Sequence, residues 1–277
     1  MRARGRASVS VLWLFLAREV RDLRGNSRVW PLYLILPLVA IALPAVLAVA
    51  MPPMIAVGRA KGDPGLLLMM RTVQAVPEFA RYPLVEAMTR YLLRNSFAIL
   101  LLLPIAISST SAAFSIVGEK QQRTLEPILA TPISDRQFLL GKLLAALVPT
   151  VAATWIAAAV GAGLVDALTW SRYGGPLLPD RFWLVGVVVL APLLGACVVL
   201  VTMRLSARGT DPQAVVQTTA LATIPGFLLL GAIFGRALTI FFPALGGACL
   251  LMLAVDAILF RGNVRTFRRE EILTRWK

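Results

Sequence analysis

Residues 96–118 read SFAILLLLPIAISSTSAAFSIVG, 23 positions without a single Asp, Glu, Lys or Arg. A helix of about 20 residues, rising 1.5 Å per residue, covers the ~30 Å hydrocarbon layer of a bilayer. Inside that layer only helices and closed barrels satisfy their own backbone, and this run lacks the alternation of a barrel strand. It reads as a membrane-spanning helix. Five more uncharged runs lie around it, at 29–57, 143–165, 182–203, 212–235 and 237–255, each at least 19 residues long. The chain has 277 residues, 58% apolar and 15% charged, against about 25% charged in a soluble domain. One soluble core could not hide that much apolar surface. The expectation is an all-α polytopic membrane protein with six transmembrane helices in a single transmembrane domain. The spans are placed at about 29–50, 96–118, 139–163, 182–203, 212–235 and 237–260.

The 28 Lys and Arg residues orient it. With both termini inside, cytoplasmic segments hold 19: seven before the first span, four in 118–142, two in 204–213 and six after Phe260. The other side holds nine, six of them in 58–95. The positive-inside rule therefore predicts cytoplasmic termini and a multi-pass protein of the cytoplasmic membrane. The net charge of +14 lies mostly beside span ends, where cations meet anionic lipid headgroups, so membrane lipids and not nucleic acid are the expected partners. No histidine is present, which removes the commonest metal ligand and general base. Cys197 and Cys249 both fall in predicted spans, which suggests neither a disulfide framework nor a metal site. VSVLWLFLA at 9–17 is not expected to be a cleavable signal, because Arg18, Glu19, Arg21 and Asp22 follow it too closely.

Outside the spans, residues 8–24 predict an amphipathic interfacial helix. Leu12, Leu16, Val20 and Leu23 form one stripe, and Arg18, Arg21, Asp22 and Arg24 the remainder. The outer segment 51–95, broken by Pro52, Pro53, Pro64, Pro77 and Pro83, suits short helices on the outer surface rather than a conventional domain. A basic cytoplasmic tail occupies 261–277. The loop at 119–138 is the most informative connection. With its flanks it reads GEKQQRTLEPILATPISDRQFLLGK, residues 118–142. Thr124 can cap a short helix with Glu126 at its positive end and Pro127 in its first turn. Leu125, Ile128 and Leu129 share one face, and Thr131 before Pro132 ends the segment. Ser134 and Gln137 form an S-x-x-Q capping box that opens the third span. On pattern alone this half-apolar helix could either dock a partner or pack on its own bundle.

The same string resembles the signature of ABC-2 type permeases, the membrane-spanning subunits of ABC exporters. Their second span runs into a glutamate-started loop with a T-L-E-x-x-L-x-x-P core that closes on G-K. The matching positions are Glu119, Thr124, Leu125, Glu126, Leu129, Pro132, Gly141 and Lys142. Weaker likenesses are AREVRDLRGNSRVW at 17–30, RLSARGTDPQAVVQ at 204–217 and FRREEILTRWK at 267–277. The resemblance implies a dimer with a second permease copy or paralogue, and a separate ATP-binding subunit that carries ATP and Mg. It also implies an ATPase-coupling role for Thr124, Leu125, Glu126, Ile128, Leu129, Thr131 and Pro132, with Glu119, Gly141 and Lys142 at the adjoining span ends. The resemblance thus implies a permease subunit rather than an enzyme. In keeping with that, the chain holds no G-x-x-x-x-G-K-[ST] loop to cradle phosphates.

Several residues admit two readings. Glu119 either grips a basic residue near the loop or marks the membrane boundary, while Lys142 either couples or snorkels at the start of the third span. Ser108, Ser109, Ser111 and Ser115, with Thr110, either line a path or pack helices. Asp256 interrupts the last span five residues before Arg261, and is expected to reach the interface or pair with a basic side chain. Two other classes compete. An ion-coupled secondary transporter predicts several buried carboxylates or cations, and the spans offer essentially one. An intramembrane enzyme needs nucleophile, base or metal ligands that these spans lack.

Overall fold

The computed structural model describes residues 30–121, 134–207, 209–223 and 242–266, and all regular structure among them is helical. Helix α1, Trp30–Ala60, runs 31 residues through Pro37, Pro44, Pro52 and Pro53. It is about 47 Å long, well beyond the hydrocarbon layer. The first helix therefore does not stop near residue 50. Each proline removes one backbone hydrogen bond, yet Ile55 just beyond them is 2% exposed, held in an apolar cluster with Met70, Val73, Val76, Phe79, Ala87 and Met88. That burial offsets the missing bonds.

The cluster belongs to three short helices: α2 (Pro64–Gln74), α3 (Pro77–Ala80) and α4 (Leu84–Asn95). Asp63 starts α2 by accepting from the amides of Gly65 and Leu66 at 2.9 and 3.1 Å, ahead of a proline at the first position. Helix α4 continues through Ser96 and Leu101, both in the right-handed helical conformation, into α5 (Phe97–Leu100) and α6 (Leu102–Gln121). Helix α7, Asp135–Tyr173, then runs 39 residues and ends on Gly174 in the left-handed conformation (φ 66°) that glycine adopts without strain. The next crossing combines α8 (Arg181–Val185), a π-helical turn at Gly186–Leu190 and α9 (Ala191–Ser206). Residues 212–223 form α10, and α11 covers Phe242–Thr266.

Among the described residues, five stretches are long and apolar enough to cross a membrane: Pro31–Ala60, Leu84–Glu119, Asp135–Tyr173, Arg181–Ser206 and Ala244–Arg265. The predicted fifth span lies only in part within the described residues. The interfacial helix 8–24 and residues 267–277 of the tail lie outside them. Apolar side chains lie on both the buried and the exposed faces: Leu245 is 0% exposed, while Leu250 on the same helix is 70% exposed. Apolar side chains face outward in this way when lipid is the solvent.

Small residues bring the helices together. Helix α1 packs along α7, and buried Ala40 shares one apolar cluster with Ala157, Ala158 and Ala162. A methyl group at Gly161 would lie 3.6 Å from the Ile41 Cα, the close backbone approach that small residues permit in membranes. Gly186 is tighter still, since a Cβ there would come within 2.6 Å of the Phe97 ring. That ring stacks edge-on against Phe182 at 5.5 Å. Within the π turn, the Trp155 indole donates to the Val187 carbonyl at 3.2 Å.

The bundle has two distinct ends. One, called distal here, carries α2–α4 and the loop at 174–180. The other, proximal, carries Trp30, Gln121, Ser134 and Ser206. At the distal end Arg94 of α4 pairs with Glu78 at 2.6 Å and with Asp180. Its guanidinium also stands 4.5 Å from the Phe79 ring centroid. One side chain thereby ties the short helices to the loop that precedes α8.

Candidate functional site

At the proximal end, α6 descends and α7 begins, and two charges meet between them. Lys142 Nζ lies 2.7 Å from Glu119 Oε1 and donates to Ser115 Oγ at 2.7 Å. The two charged side chains are only 4% and 9% exposed. Lys142 thus turns inward and does not snorkel: its side chain leaves α7 on the face against α6, where a carboxylate and a hydroxyl replace water. Glu119 and Ser115 stand four residues apart and share one face of α6. Gly141, next to Lys142, is buried as well.

This cluster joins the ends of the second and third predicted spans, on either side of the connecting loop. Thr124, Leu125, Glu126, Ile128, Leu129, Thr131 and Pro132 lie outside the described residues. Where description resumes, the predicted capping box is formed. Ser134 Oγ accepts from the Gln137 amide at 3.3 Å, and the Ser134 amide donates back to Gln137 Oε1 at 3.1 Å. On the other flank, Gln121 Nε2 donates to the Thr210 carbonyl at 2.8 Å. The second proximal turn is therefore tied to the same place.

The hydroxyl stretch on α6 divides by partner. Ser109 and Thr110 donate to the Ala106 carbonyl of their own helix at 3.1 and 2.8 Å, as buried hydroxyls do within membrane helices. Ser111 meets the Tyr33 hydroxyl of α1 at 2.8 Å, and Ser115 completes the Lys142 cluster. Ser108 is 0% exposed and its hydroxyl finds no hydrogen-bond partner among the described residues. It sits against α9, where a methyl at Gly195 would lie 3.4 Å from its Oγ. Burial within one chain suits helix packing at Ser108, Ser109 and Ser111.

Asp256 pairs with no basic side chain among the described residues. It is 8% exposed, and its two carboxylate oxygens have no hydrogen-bond partner among the described residues. The Cys197 thiol of α9 lies beside it. Lower on the same helix, Asn263 donates to the Leu200 carbonyl at 2.9 Å. The part played by Ser115 had a sequence signal in its i, i+4 spacing to Glu119. Tyr33 had none, because nothing local announces which distant hydroxyl an aromatic will meet.

No curated protein matches the chain. The model of one family, described as ABC-2 family transporter protein, matches residues 13–242. That match spans α1 through α10, including the paired ends of α6 and α7, the loop between them and the apolar helices that make this a multi-pass membrane protein. The chain belongs to the ABC-2 transporter family, as a membrane-spanning permease component.

Proposed function

We propose that this chain is the permease subunit of an ATP-driven exporter of the cytoplasmic membrane. It works in a dimer with a second copy or a paralogue, and a separate ATP-binding subunit supplies ATP and Mg. The observation that carries this is the buried Glu119–Lys142–Ser115 cluster at the two roots of the loop. A loop that is to move spans needs rigid roots, and an ion pair sheltered from water fixes α6 against α7 where residues 122–133 leave and return. Leu125, Ile128 and Leu129 offer the apolar face that seats in the ATPase. Closure of that subunit then shifts both helices together.

Six spans, with α1 starting and α11 ending on the same side, fit the helix directions. Leu200 meets Asn263, and a Cβ on Gly262 would meet Arg204, so α9 and α11 run the same way. The chain between them has to return across the bundle, which supports a fifth span at 212–235. Apart from Glu119, which is paired with Lys142, Asp256 is the buried carboxylate among the described residues on which an ion-coupled transporter could draw. The test is co-purification with an ATP-binding subunit. The isolated chain neither binds nor hydrolyses ATP, and hydrolysis by this chain without a second subunit would defeat the assignment.

A further inference from the structure

At the proximal end a cavity of about 510 Å³ opens between the start of α7 and the end of α11, lined by Arg136, Phe260, Arg261, Val264 and Arg265. Three of these five described lining residues are arginines and none is acidic. None of the three takes part in an ion pair among the described residues. Arg261 and Arg265 stand four residues apart on one face of α11, with Phe260 and Val264 forming an apolar wall beside them. We propose that this cavity binds the phosphate of an anionic phospholipid headgroup.

Three like charges converging on one space repel one another unless an anion joins them, and a guanidinium matches phosphate oxygens two at a time. Arg136 stands in the first turn of a 39-residue helix, where the helix dipole also favours negative charge. The site lies at the ends of two membrane-crossing helices, which is headgroup depth, and basic pockets between such helices take anionic headgroups. The apolar wall is the reason to choose a lipid over free phosphate. Phe260 and Val264 offer nothing to a hydrated ion, but they suit the glycerol and first methylenes of a lipid. With the termini inside, this is a lipid of the cytoplasmic leaflet. The binding itself does not depend on that orientation or on the transport reading.

The test uses the purified full chain in uncharged detergent. Short-chain phosphatidylglycerol, phosphatidylcholine of the same length and glycerol 3-phosphate are titrated, with bound ligand counted by native mass spectrometry and melting followed in parallel. Phosphatidylglycerol binds and raises the melting temperature, and the other two do so at least tenfold more weakly. Arg261→Gln with Arg265→Gln loses about tenfold or more of that affinity, whereas Arg261→Lys with Arg265→Lys retains part of it. Should the Gln pair fail to fold, Arg136→Gln and the Lys pair serve in its place. Equal affinity for both lipids, or unchanged affinity in the variants, overturns the proposal. Equal binding of glycerol 3-phosphate overturns the choice of a lipid. A gain of tenfold or more in Glu270→Gln with Glu271→Gln means that the tail fills the cavity, and also overturns it.

Discussion

Replacing Glu119 by Gln leaves the Lys142 ammonium 4% exposed with one hydroxyl, Ser115, as its remaining described partner. At the observed 2.7 Å and an effective dielectric constant of about 20, the Coulomb attraction of the intact pair is about 6 kcal/mol. Desolvating two ions costs several kcal/mol each, so the pair as a whole contributes little net stability. Breaking it is another matter. An uncompensated buried charge costs about 3–5 kcal/mol, and in a chain of this size that lowers the melting midpoint by about 6–20 °C. Lys142→Met should fall in the same range. The double variant, neutral on both sides, should recover most of the loss, and the coupling energy is read from the cycle of four proteins. The assay is thermal unfolding of monodisperse protein in detergent at low and high salt. Burial keeps the effect nearly independent of ionic strength. Single variants within about 2 °C of the parent, or a double variant that sums the two losses, would refute the idea of a sheltered pair.

Gly186→Ala should destabilise the fold by about 1–3 kcal/mol, because its methyl would enter the Phe97 ring at 2.6 Å. Gly161→Ala should be tolerated at 3.6 Å from the Ile41 Cα, and melting of the two variants side by side separates them. Arg94→Met removes two ion pairs and a contact with the Phe79 ring. With the solvent exposure of Glu78 discounting its share, the loss is about 1–3 kcal/mol, read as faster trypsin cleavage after Lys61 and Arg81. In a background without Cys197 and Cys249, a cysteine at 75 should react with an impermeant reagent outside intact cells, and one at 130 should not. Reaction at 130 would reverse the orientation.

The membrane class was legible because lipid solvation leaves a coarse mark, the absence of charge over about 20 residues. Helix ends were less so. The first helix passes Pro52 and Pro53 because Ile55 is buried by α2–α4, and the proline rule knows nothing of that tertiary contact. The capping box at Ser134 was readable, being purely local. Lys142 was legible as an interfacial charge but not as half of a buried pair, since its partner stands on another helix. The burial of Asp256, with no hydrogen-bond partner among the described residues, could not be read from the five-residue distance to Arg261 either. Sequence spacing measures height along a helix and says little about which way it faces.

The measurement that bears most directly on the coupling role is ATPase docking by Leu125→Asp and Leu129→Asp, scored together with monodisperse yield. Burying one leucine contributes roughly 1.5–3 kcal/mol, and each 1.4 kcal/mol is a factor of ten. Each variant should therefore bind the ATP-binding subunit at least tenfold more weakly and lose substrate-stimulated hydrolysis, while its yield in detergent stays at the parent level. Normal yield with normal docking and coupling in both variants would contradict the account. Low yield with full coupling in the surviving complex would show instead that the loop packs on its own bundle.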